Sequence, residues 1–148
     1  MYEPYAATSP GNLRNETPVR YPGAITTYAG EKLAWDADAV AAHLAYGFDW
    51  AKAHDIPSNR VVLGEFGCMR LWADCGTYLM DVLDAAEDAS VHWAFYAFRE
   101  DEWDGMDYEL PVSLESGRFY WLSSEGRADQ IPRDGPLMTL LKDRMLTE

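Results

Sequence analysis

The stretch Arg60-Val-Val-Leu-Gly-Glu-Phe-Gly67 ends an apolar, β-branched run in a single carboxylate, Glu65, set between two glycines. A strand interior rejects an ionised Glu, because burying an unpaired charge costs several kcal/mol. A glycine on either side removes side-chain bulk where something else must come close. The pattern places Glu65 at the mouth of a strand, presented to a ligand. The plain alternative is a Glu paired with an Arg at that edge.

Few other residues offer chemistry by type and spacing. With two cysteines and three scattered histidines, a metal site is not expected and no cofactor is implied. Cys68 and Cys75 are seven positions apart and are compatible with two thiols or one bridge. His92 begins an apolar run, and His43 and His54 fall on a helical segment; all three read as structural. Six Trp and nine Tyr are many for 148 residues. Some could serve as stacking surfaces for sugars or bases, although most aromatics of any chain are simply core.

The formal net charge of −13 argues against a polyanion partner, because nucleic-acid binding needs clustered Lys and Arg. A neutral polysaccharide meets no such conflict, and the same acidity also favours solubility. No apolar run reaches the length of a membrane span. The start, Met1-Tyr-Glu-Pro-Tyr5, lacks the basic and apolar regions of a signal peptide.

The elements that must position Glu65 follow from periodicity. Met1 to Tyr5 reads as the end of a strand, and residues 7–31, rich in Pro and Gly, as a long loop. Val40, Leu44, Phe48 and Ala51 recur at helical spacing after Asp36 and predict a helix over about 37–54. Arg60 to Glu65 is a strand, residues 68–76 a second loop, and the segment from Thr77 a helix with Leu79, Met80, Val82, Leu83 and Ala86 as its apolar stripe. Ser90 to Phe98 is apolar on both faces, as in a parallel strand covered on each side. An acidic, aromatic loop follows. Residues 111–134 look irregular, with a small hairpin expected around Phe119 to Leu122, and a last helix covers about 135–145. Strand, loop and helix thus recur, with the long loop after the strand and a short return to the next one. Such asymmetry suits a (β/α) barrel, whose site is built on the strands' C-terminal ends. A doubly wound sheet shares the alternation, but no Gly-rich phosphate loop follows any strand.

"LGEFG", followed one βα unit later by "VHWAFYAFREDEWDGMDYEL", resembles the C-terminal part of the retaining glycoside hydrolases of family 5, the cellulase family. The resemblance implies an α/β fold, a partial (β/α)8 TIM barrel made of about the last three βα units, strands six to eight. It implies Glu65 as nucleophile and Tyr2 as the tyrosine whose hydroxyl bonds to it. Tyr96 or Trp93 would be the sugar platform of the last strand, only one of which the strand alternation can point inward. Trp103 and Trp72, on loops after strands, would be stacking walls. Glu100, Asp101 and Asp104 could bond sugar hydroxyls.

Two features of that family have no counterpart here. The His preceding the Tyr would stand immediately before Met1, and the Asn-Glu-Pro-like motif of the general acid/base follows no strand of this chain. A retaining glycosidase needs two carboxyls about 5–5.5 Å apart, one attacking and one protonating the leaving oxygen. The expected partners are therefore an oligosaccharide or polysaccharide, and either a homo-oligomer or the missing N-terminal half of the barrel. An extracellular setting would suit the parent enzyme. The alternatives are a non-catalytic carbohydrate-binding protein and a self-associating half-barrel with no sugar role.

Overall fold

The computed structural model describes residues 19–26, 30–98, 105–115, 122–130 and 132–146. The expected strand at Met1 to Tyr5 lies outside these residues, as does most of the expected hairpin; its last residue, Leu122, begins a single helical turn over 122–124.

The first described element corrects the expectation of a loop over 7–31. β1 (Gly23–Thr26) pairs antiparallel with β2 (Lys32–Trp35), Gly23 opposite Trp35 and Thr26 opposite Lys32. Gly23 is required by its surroundings, since a Cβ there would fall 2.4 Å from the Arg20 carbonyl oxygen. The hairpin contributes Ile25 and Trp35 to the core.

α1 (Ala37–Ala53) starts where Asp36 accepts a hydrogen bond from the Ala39 N–H at 3.0 Å, a side-chain N-cap. Val40, Leu44 and Ala51 form its buried side. At its end the Asp55 and Ile56 N–H groups bond to the carbonyls of Lys52 and Ala51, with Asp55 in the left-handed region at φ 55°. This is a Schellman close, which turns the chain sharply. The same device ends α2 (Cys75–Asp88): Ser90, at φ 54°, and Val91 bond to the carbonyls of Glu87 and Ala86. Both helices thus end in the same turn, although the return after α1 runs on through a 3-10 turn at Ser58–Arg60 before β3.

α2 connects β3 (Val62–Leu63) to β4 (His92–Trp93), which pair in parallel with Val62 beside His92 and Leu63 beside Trp93, making one βαβ unit. α2 buries Cys75, Tyr78, Leu79, Val82, Leu83 and Ala86. The buried stripe therefore includes Tyr78, whereas Met80, expected in it, is half-buried. Both strands are shorter than their apolar runs. Beyond the ladder, the Ala94 N–H bonds to the Leu63 carbonyl but the Tyr96 N–H bonds to that of Phe66, at 2.9 and 2.7 Å. Two residues advance on one side and three on the other, so a bulge at Gly64–Glu65 breaks the regular pairing. The Tyr96–Ala97 peptide bond just beyond is cis.

Leu63 and Trp93 face the core, packed with Phe66, Tyr78 and Leu83. The opposite face is open: Val62 is 59% exposed, and His92 and Ala94 are also exposed. α3 (Pro136–Met145) begins at Gly135, whose N–H bonds to the Glu109 carbonyl at 3.0 Å. A Cβ on Gly135 would sit 2.1 Å from the Tyr108 carbonyl oxygen, so the helix start lies directly on the backbone of 108–110.

Candidate functional site

The bulge gives Glu65 its position. An extra residue at the end of a strand bends the chain and re-aims the side chain there. Glu65 is exposed, whereas Phe66, Gly67 and Cys68 immediately after it are buried. The carboxylate therefore stands at the C-terminal edge of β3 on a segment anchored into the core.

That anchor has three parts. Cys68 and Cys75 form a disulfide, which decides between the two readings left open by their spacing; both residues are buried. Tyr108, fully buried, places its hydroxyl between the backbone groups of Cys68, accepting from the N–H at 2.8 Å and donating to the carbonyl at 2.9 Å. Burial pushes its phenol well above the ordinary tyrosine range, against the opposing effect of the bond at Cys68. Arg70, 1% exposed, donates to the carbonyls of Pro111, at 2.8 Å, Leu114, and Glu115, at 3.2 Å. Its own N–H bonds to the Gly105 carbonyl. A buried guanidinium is tolerable when its donors are taken up in this way. The loop after β3 and the segment 105–115 after β4 are thereby fastened into one shelf beside Glu65.

A charged cluster supports the far side of that shelf. Arg133 donates to Asp107 at 3.3 Å and to Glu109 at 2.7 Å. Asp107 is fully buried and its carboxyl is raised above the usual carboxylate value: desolvation outweighs the bond from the Glu109 N–H and the attraction of Arg133.

The structure separates the other sequence candidates. Tyr96 is half-buried and is tied by its N–H to Phe66, one residue past Glu65. Trp93 has its ring against Phe66 at 6.1 Å in an edge-on contact, and so packs in the interior. Trp72 also packs against the core: its indole N–H donates to the Val19 carbonyl at 2.9 Å and its ring meets Tyr21 and Tyr78. Tyr2, Glu100 and Trp103, with Asp101 and Asp104, lie outside the described residues.

Arg70, Tyr108 and Arg133 escaped the sequence reading. Arg70 and Tyr108 bind backbone atoms, which leave no mark on side-chain spacing, and Arg133 meets its carboxylates from more than twenty positions away. Among the described residues no group of three or more His, Cys, Asp or Glu could hold a metal ion. No described helix is long and apolar enough to cross a membrane. Two surface clefts, of about 760 Å³ between α2 and α3 and about 440 Å³ beside the C-terminal end of α1, both exclude Glu65. Comparison of the chain with family models, with curated proteins and with solved structures finds no match.

Proposed function

We propose that this chain is the C-terminal part of a retaining β-glucan hydrolase of the cellulase type, with Glu65 as its nucleophile. The observation that carries the reading is the exposed carboxylate on a bulge at the C-terminal end of a parallel strand, one residue before Phe66, whose carbonyl accepts from the N–H of the half-buried Tyr96 just past β4. In this reading Glu65 attacks the anomeric carbon to form a glycosyl ester, and Tyr96 floors the bound sugar. A second carboxyl from outside the described shelf protonates the leaving oxygen and then activates water. The fold would be a partial barrel, and the open face around Val62, His92 and Ala94 would be covered by the rest of the barrel or by another copy. Sedimentation of the isolated chain as a monomer at micromolar concentration would exclude the second cover.

The deciding experiment measures release of reducing ends from a soluble β-glucan by this chain and by Glu65→Gln. Turnover that disappears in the variant supports the nucleophile. Turnover of equal rate in both refutes it. A second reading, a carbohydrate-binding protein without turnover, is favoured by the exposed aromatic rings of Tyr46 and Trp50. Calorimetric titration with cello-oligosaccharides in the absence of hydrolysis would establish it.

A further inference from the structure

α1 carries an aromatic ridge that packing among the described residues does not use. Tyr46 is 87% exposed and Trp50 57% exposed, although Val40, Leu44 and Ala51 already supply the buried side of the helix. Tyr46, Trp50 and His54 follow one another at four-residue steps, so each ring lies about 6 Å further along the axis. The Trp50 ring stacks on His54 with centroids 4.1 Å apart and planes 26° apart. His54 is itself held, its Nδ1 2.8 Å from the Trp50 carbonyl oxygen. One face of the indole is thus backed by imidazole and the ring is fixed in orientation.

We propose that this ridge is a second binding surface, taking a neutral polysaccharide chain laid across Trp50 and Tyr46. A flat, immobilised aromatic loses little freedom when a ligand stacks on it, which favours binding. Sugars stack on such rings through their C–H faces, and nucleic-acid bases through their π-faces. Charge decides between them, because a chain of net charge −13 repels a phosphate backbone and is indifferent to an uncharged glycan. The inference extends the polysaccharide reading above but does not depend on Glu65.

The test is electrophoresis of the full chain through native gels with and without hydroxyethyl cellulose, a neutral soluble β-glucan, beside Trp50→Ala, Tyr46→Ala and Glu65→Gln. Retardation of the parent chain and of Glu65→Gln is expected, with Trp50→Ala binding about tenfold more weakly, the size of loss typical of one stacking ring. Because Trp50 and Tyr46 are exposed, unchanged circular dichroism should accompany both alanine variants. An unretarded parent chain, or equal retardation of Trp50→Ala, overturns the proposal. A change of sedimentation in Trp50→Ala with retardation unaltered assigns the ridge to a copy–copy contact and overturns it as well. If Glu65→Gln hydrolyses as well as the parent chain while Trp50-dependent retention persists, the nucleophile falls and this surface stands.

Discussion

Replacing Tyr108 by Phe would remove one oxygen from the centre of the shelf and leave the ring in place. The ring stacks on Phe95 with centroids 5.8 Å apart, a contact that phenylalanine keeps. What disappears is the pair of bonds to the Cys68 N–H and carbonyl. Each neutral bond contributes about 1 kcal/mol, and a buried donor left without a partner costs about 1–3 kcal/mol. These effects overlap, so Tyr108→Phe should destabilise the chain by about 2–4 kcal/mol. At roughly 2–4 °C per kcal/mol for a chain of this size, the melting temperature should fall by about 5–15 °C. Urea denaturation followed by Trp fluorescence gives the midpoint and slope directly. Because burial keeps the phenol protonated far above its ordinary range, the difference between the two proteins should not vary across neutral pH. A variant within about 0.5 kcal/mol of the parent would show that the hydroxyl does not fasten the loop after β3, and the description of the shelf would fail.

The Cys68–Cys75 disulfide closes a loop of sequence separation 7, and chain entropy gives it about 2.5 kcal/mol; the double alanine variant should lose that much in denaturant, while thiol titration of the unfolded, unreduced parent should find none. Ser90 holds φ 54°, so Ser90→Gly should gain about 1 kcal/mol in thermal unfolding, and a loss would mean that the Schellman geometry is wrong there. Asp107 has a raised carboxyl in the folded chain, facing Arg133 and Glu109. As pH falls from neutral toward the ordinary value of 3.8, the folded state takes up this proton before the unfolded chain does, and the residue adds stability. The stability of the parent relative to Asp107→Asn should therefore rise on acidification, read from urea midpoints at neutral pH and near pH 4; the reverse slope refutes the assignment.

The helices were legible in the sequence because their signals are local. The Asp36 cap and the spacing of Val40, Leu44 and Ala51 place α1 within a residue of its observed end. α2 begins two residues before the expected Thr77, at the cysteine whose bridge ties it to the preceding loop. The strands were located but overextended, because the bulge at Gly64–Glu65 is a matter of register between two segments and has no signature in either. The hairpin of β1 and β2 was missed because Gly23 reads as a loop residue, whereas its role is to let the chain pass the Arg20 carbonyl. The exposure of Glu65 just past the end of β3 was legible from its neighbours. The fixtures around it were not, since Arg70 and Tyr108 hold main-chain atoms.

That preference for main-chain atoms bears on how the shelf can drift. Arg70 grips the carbonyls of residues 111, 114 and 115, groups that every amino acid carries. Val112 is 49% exposed and Ser113 is exposed, so their side chains take no part in fixing the path of the loop. The course of the shelf is thereby uncoupled from the identity of the side chains it displays. Mutational variety can accumulate at 112 and 113 while the scaffold stays put, and a randomised library at these two positions would explore new surface chemistries without first having to rediscover the fold.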